Sequence, residues 1–100
     1  MSIKKMAVLG AGQMGNGITQ VAACAGIEVV MVDIKQEFVD KGMATIEKSL
    51  SKLVAKERMT EEDAKSARDR ISTSIDRTSC SDADLVVEAV PEILDLKISI

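Results

Sequence analysis

The chain has 100 residues, of which 46% are apolar and one, Phe38, is aromatic, and it carries a net charge of −3. That is enough for one small domain with an aliphatic, methionine-containing core. It argues against a nucleic-acid partner held by phosphate neutralisation or base stacking, and no apolar run reaches the ~18 residues of a membrane span.

The first strand is predicted from Ile3 to Leu9. Two lysines precede its apolar run, which stops at Leu9 and turns, so it reads as a strand and not as a targeting segment. Gly10-Ala11-Gly12-Gln13-Met14-Gly15 follows and has the form G-x-G-x-x-G. Each glycine has a separate task. Gly10 turns the chain off the strand, Gly12 lets a pyrophosphate approach the backbone, and Gly15 lets a helix pack close to the strand. The helix, predicted from Gln13 to Ala25, aims its free N–H groups and positive dipole end at the phosphates. Met14, Ile18, Val21, Ala22 and Ala25 are its expected buried face, Cys24 reads as a small core residue, and Gly26 is its stop.

Glu28 to Val32 is the second strand, and Asp33 ends it. Asp33 lies 21 residues after Gly12, close to the roughly 20 of a dinucleotide-binding βαβ unit. A carboxylate there accepts hydrogen bonds from ribose hydroxyls and repels a 2′-phosphate, which favours NAD over NADP. The alternative is an ordinary βα turn in which Asp33 caps a helix.

A long helix is predicted from Gln36 to Glu57, with Val39, Met43, Ile46, Leu50 and Leu53 as its buried stripe. Lys41, Lys48, Lys52 and Lys56 lie largely on other faces. Thr60 reads as the N-cap of a short helix running to about Arg68, with Glu61, Glu62 and Asp63 in its first turn. The two form a helical hairpin. Between Asp33 and Ile71 stand 37 residues, where a parallel crossover needs about a dozen, so the hairpin is expected to have a function of its own.

Ile71 to Ile75 alternates and reads as strand three, the polar stretch Asp76 to Asp82 as an exposed loop with Cys80, and Asp82 to Val90 as strand four, ended by Pro91. Leu94 onward is expected to open another helix. The two cysteines are expected to be reduced thiols of a cytoplasmic protein. The chain has no histidine, so within these residues there is neither a histidine base nor a histidine metal site. The expected fold is α/β: a Rossmann-type doubly wound parallel sheet of strand order 3-2-1-4, with the hairpin inserted after strand 2. Strand 4 is then an open apolar edge, and the domain is expected to be incomplete at its C-terminus and part of a longer protein.

Three blocks together resemble the NAD-binding domain of the 3-hydroxyacyl-CoA dehydrogenase family. They are Gly10 to Ile18 with Gln20-Val21-Ala22-Ala23, the lysine-rich hairpin with Ile46-Glu47-Lys48-Ser49-Leu50, and Asp84 to Leu94 with Lys97. The third is the most specific, and the short-chain 3-hydroxybutyryl-CoA enzymes look most alike. The resemblance implies hydride transfer between NAD(H) and the 3-hydroxy or 3-keto group of an acyl-CoA. It assigns Gly10, Ala11, Gly12, Gln13, Met14 and Gly15 to the pyrophosphate and Asp33 to the ribose. Glu92 and Lys97 fall to the nicotinamide side, and Ser49 and Lys56 to the CoA moiety. No metal is implied, and the parent protein is expected to be a homo-oligomer through a further domain.

The same resemblance places the catalytic residues outside these 100 positions, so the chain by itself is expected to be inactive. Without it, the lysines read as a solvated helix face and Glu92 as a helix cap. Two other readings compete: a stand-alone NAD-binding or regulatory module, and a 3-hydroxyisobutyrate-like dehydrogenase. Asp33, the long hairpin and the Glu88-to-Glu92 block weigh against the latter.

Overall fold

The computed structural model describes residues 3–90 and 93–98, with the backbone alone at 77, 90 and 93–98. The elements are β1 (Lys5–Leu9), α1 (Gln13–Cys24), β2 (Glu28–Val32), α2 (Gln36–Ala55), α3 (Glu61–Asp69), β3 (Ile71–Ser74), a 3₁₀ turn (Arg77–Cys80), β4 (Leu85–Val90) and β5 (Ile93–Ile98). The sheet order is β3-β2-β1-β4-β5. The first four strands are parallel, with Leu9 opposite both Val32 and Glu88. This is the expected 3-2-1-4 order with its hairpin after β2.

The two sheet faces are covered differently. Met6 and Val8 of β1, Val29 and Met31 of β2 and Val87 of β4 turn to one side, where α1, α2 and α3 lie on them. Alternate residues Ala7, Val30 and Val32 turn to the other side together with Val86 of β4, which stands beside Ala7, and Ala83 and Cys80 pack against them there. Val39, Gly42, Met43, Ile46 and Leu50 are the buried positions of α2, as its spacing predicts apart from the glycine, and Leu53 packs at the margin. Ile46 is fully buried, and truncating such a side chain costs about 2–5 kcal/mol.

The helix ends follow from local chemistry. Gly26 at φ 93° follows α1, with Ile27 N–H donating to the Ala22 carbonyl and Gly26 N–H to the Ala23 carbonyl. This pair of bonds is the Schellman arrangement. Arg70 Nη1 adds a 2.8 Å bond to the Ala23 carbonyl, a cation at the negative end of α1. The end of α2 repeats the arrangement, with Arg58 N–H on Leu53 and Glu57 N–H on Val54, but here the left-handed residue is Glu57 at φ 57°. The helix therefore stops at Ala55 and not at Glu57. Thr60 caps α3 by accepting from Asp63 N–H, as expected.

Four expectations are corrected. Leu94 onward is a strand: β5 pairs antiparallel with β4 from Val90↔Ile93 to Leu85↔Ile98. The sequence Leu94-Asp95-Leu96-Lys97-Ile98 alternates with a period of two, which suits a strand, and the N–H and C=O groups along the edge of β4 offer it a ladder. For the same reason β4 is not an open edge. Cys24 is exposed and not a core residue. The buried face of α1 is Gly15, Thr19, Ala22 and Ala23, while Met14 and Val21 are 41% and 71% exposed. Small residues bury there because α1 lies close to the sheet, and the buried Thr19 hydroxyl donates to the Gly15 carbonyl at 2.8 Å.

Candidate functional site

At the C-terminal end of β1 the chain leaves the sheet through Gly10, whose N–H donates to the Val32 carbonyl at 2.7 Å. Gly10 has φ 112°, and a Cβ there would run into the Ala89 carbonyl. A Cβ at Gly15 would collide with the Gly10 carbonyl. These two glycines are thus required by the protein's own backbone. Gly12 is different. Its φ is −69°, and a Cβ there would have no protein atom within 4 Å. Neither conformation nor packing calls for glycine at that position; the space in front of it is open cleft.

The cleft has a volume of about 1090 Å³. Gly10 to Gly15 form its floor, Asp33 stands on its rim, and Ala89 of β4 closes one side. The other wall is α2, through Phe38, Lys41, Gly42 and Thr45. Sequence reasoning did not assign these wall residues. The available signal was Gly42, since a glycine inside a helical pattern costs about 1 kcal/mol against alanine and marks a close approach when present.

The cleft favours an anion. The first N–H groups of a helix lack intrahelical partners, and α1 has neither a side-chain cap nor an acid in its first turn. At α3, by contrast, Thr60 and three acids already satisfy that end. Of the described lining residues, Asp33 and Lys41 carry the only formal charges. Asp33 is half-buried. Its Oδ2 accepts from Ala11 N–H at 2.8 Å and its Oδ1 from Ile34 N–H at 2.7 Å. The carboxylate therefore binds the glycine loop as well as facing the cleft.

The structure brings Gly10, Ala11, Gly12, Gln13, Met14, Gly15 and Asp33 together in this one cleft. Ser49 and Lys56 lie outside its lining, farther along α2, with Ser49 half-buried and Lys56 exposed at the helix end. Lys41, Thr45, Lys48, Lys52 and Lys56 recur every three or four residues, so they share one exposed strip that runs from the cleft wall to the hairpin tip. None of these four lysines is in an ion pair among the described residues. Glu92 lies outside the described residues. Lys97 stands in β5 opposite Val86, whose β1 partner is Ala7, whereas the glycine loop leaves β1 after Leu9. The backbone thus does not bring Lys97 beside the loop. The described residues contain no cluster of metal-ligating side chains and no helix long and apolar enough to cross a membrane.

A second groove, of about 560 Å³, lies between α2 and α3 and is lined by Leu50, Val54 and Ala64. The Arg68–Glu47 ion pair, at 2.6 Å, spans the same two helices. No predicted site residue lies in it.

Comparison with known proteins agrees with this geometry. Residues 5–100 match the family model described as the NAD binding domain of 3-hydroxyacyl-CoA dehydrogenase. A probable 3-hydroxybutyryl-CoA dehydrogenase of Deinococcus radiodurans is 48% identical over 93% of this chain and 33% of its own length. The 3-hydroxybutyryl-CoA dehydrogenase of Bradyrhizobium diazoefficiens is 44% identical over 95% of the chain and 32% of its own length. The crystal structure of (S)-3-hydroxybutyryl-CoA dehydrogenase from Ralstonia eutropha superposes with a TM-score of 0.88 at 46% identity, covering 92% of this chain and 32% of that one. The chain spans about a third of the length of the relatives it matches. With the glycine floor, the acid on its rim and a family match over nearly all of its residues, the chain belongs to the NAD-binding domain family of the 3-hydroxyacyl-CoA dehydrogenases.

Proposed function

We propose that the protein is an NAD-dependent dehydrogenase of short-chain 3-hydroxyacyl-CoA substrates, cytoplasmic, and that these residues are its cofactor-binding portion. The observation that carries this reading is Gly12: an open position, free of backbone strain, beneath an uncapped helix N-terminus with Asp33 on the rim. A dinucleotide fits there, because the missing Cβ leaves room for a pyrophosphate and the carboxylate meets a ribose.

In this reading NAD supplies the hydride acceptor. The chain's own residues bind and orient it. The N–H groups at the start of α1 take the phosphates, and Asp33 takes the ribose hydroxyls and disfavours a 2′-phosphate. Ser49 and Lys56 take the CoA moiety, and the exposed lysine strip of α2 supports this, since a row of cations with no ion pair among the described residues suits the phosphates of CoA. The relatives are about three times as long, and we assign the general base to the part of the protein outside these residues. We expect the 100-residue chain alone to turn over no substrate.

The test is reduction of acetoacetyl-CoA by the full-length protein with NADH and with NADPH. A kcat/KM clearly higher with NADH supports the reading. Equal or better use of NADPH contradicts the role given to Asp33, and no turnover with either contradicts the substrate class.

A further inference from the structure

We infer that Asp33 is a positioning residue for the phosphate cradle as well as a ribose ligand, so that one carboxylate couples recognition of the two halves of the adenosine diphosphate group. The inference deepens the dinucleotide reading and rests on it.

The geometry is specific. Asp33 Oδ2 accepts the Ala11 N–H at 2.8 Å and Oδ1 accepts the Ile34 N–H at 2.7 Å. Ala11 lies between Gly10 and Gly12, the turn and the open floor of the cleft. Its N–H is thus fixed by the end of β2, 22 residues away in sequence. On its other side Ala11 meets α2, where a Cβ at Gly42 would lie 2.7 Å from the Ala11 carbonyl oxygen. Ala11 is only 4% exposed. The loop residue is therefore held from two directions before any ligand arrives.

The carboxylate also has capacity left. An ionised carboxylate offers about four acceptor sites, and two of them are used by amides. The remaining two match the two vicinal hydroxyls of a ribose. Ribose binding then adds to the loop bond without displacing it, and each contact holds the other in place. An Asp33 that only read the ribose would have no reason to bond the glycine loop.

The two roles predict opposite signs for a ligand that has phosphates and no ribose. If Asp33 only reads ribose, removing its negative charge from beside an anion site strengthens pyrophosphate binding. If it also positions the loop, removing it weakens pyrophosphate binding. The experiment is calorimetric titration of the full-length protein with inorganic pyrophosphate and, separately, with NADH, for wild type, Asp33→Ala and Asp33→Asn. We expect Asp33→Ala to weaken pyrophosphate by about tenfold, the size of one charge-assisted hydrogen bond. Asp33→Asn keeps one acceptor for Ala11 and loses the charge, so it binds pyrophosphate at least as well as Asp33→Ala, and better when the bond to Ala11 is retained, while NADH stays weakened. It also serves if the alanine variant does not fold. Pyrophosphate binding that is unchanged or tighter in Asp33→Ala, weaker in Asp33→Asn than in Asp33→Ala, or immeasurable in wild type overturns the inference. An Ala11 amide that exchanges with solvent at an unprotected rate in the free protein overturns it as well. Failure of wild type to bind NADH overturns the dinucleotide reading itself, which separates the two failures.

Discussion

Gly42 of α2 packs directly on Ala11 of the glycine loop: a Cβ at Gly42 would sit 2.7 Å from the Ala11 carbonyl oxygen and 3.1 Å from both its Cβ and the Met31 methyl. The backbone oxygen cannot rotate away as a side chain does. Gly42→Ala should therefore push α2 off the loop. Overpacking of this kind costs about 1–3 kcal/mol, offset by up to about 1 kcal/mol of helix propensity. We expect a net loss of stability in urea melts together with weaker NADH binding, and a larger loss of both for Gly42→Val. A stabilised Gly42→Ala variant with unchanged NADH affinity would show that the helix moves independently of the loop.

Gly12 and Gly15 separate binding from folding. Gly15→Ala places a methyl on the Gly10 carbonyl, and forcing backbone apart inside the βα turn should cost about 3 kcal/mol or more. Gly12→Ala places a methyl in open space, so its stability should stay within about 1 kcal/mol of wild type, the loss of a fair N-cap residue. Its NADH affinity should nonetheless fall at least about tenfold, because the methyl would occupy the path proposed for the pyrophosphate. Thermal melts and NADH titrations of both variants check this. An intact Gly12→Ala affinity would place the phosphates elsewhere in the cleft.

Glu57 holds the left-handed position that closes α2, at φ 57°. The equivalent place after α1 is taken by Gly26 at φ 93°. A non-glycine residue in that conformation costs about 1 kcal/mol. Glu57→Gly should accordingly stabilise the protein, but by no more than about 0.5 kcal/mol once the entropy of the unfolded glycine, about 0.5–1 kcal/mol, is counted. Equilibrium urea unfolding reads this directly, and a destabilised variant would contradict it.

Acid should loosen the seam between β1 and β4. The Asp84 carboxylate accepts the N–H groups of Lys4 and Lys5 at 2.9 and 3.1 Å, and these bonds hold its pKa below the ordinary 3.8. Asp82 is lowered by its hydrogen bond from Lys5, and Asp76 by its bonds with Thr78. A depressed carboxylate contributes stability that is complete above its unfolded pKa and is lost as pH falls through the lower folded value. The melting temperature of wild type should therefore drop toward that of Asp84→Asn as pH falls below about 4, with the difference largest near neutrality. The hydrogen-bonded Lys5 is shifted upward, so its contribution holds below its unfolded pKa of 10.5 and fades only as pH rises through the higher folded value.

The parts of this molecule that were legible from sequence are those set by neighbours in the chain. The strand ends at Leu9 and Val32, the glycine turn, the Thr60 cap and the stripe on α2 follow from local spacing and side-chain chemistry. What was not legible depends on which elements meet. Phe38, Lys41 and Thr45 line the cleft only because Gly42 seats α2 on Ala11. The buried face of α1 was misplaced because Gly15, Thr19 and Ala23 carry little apolar weight, and their burial reflects close packing on the sheet. β5 is not legible in this way: Pro91 ends strand four as expected, but Leu94 onward reads as a helix until the pairing edge of β4 is known, although its alternation has the period of a strand.

The exposed strip of α2 leads to the last prediction. Lys41 stands on the cleft wall, while Lys48, Lys52 and Lys56 continue along the same exposed side to the end of the helix. If the strip reads the phosphates of CoA, Lys56→Ala in the full-length protein should raise KM for acetoacetyl-CoA several-fold and leave KM for NADH nearly unchanged. Lys41→Ala, at the cleft end of the strip, should weaken NADH instead. Both effects should shrink as salt is raised, since exposed charges are screened over about 10 Å at 0.1 M ionic strength. A truncated thioester that lacks the nucleotide part of CoA provides the control. Its KM should not respond to Lys56→Ala, and an equal response with and without the nucleotide would show that this lysine acts on the fold and not on the CoA phosphates.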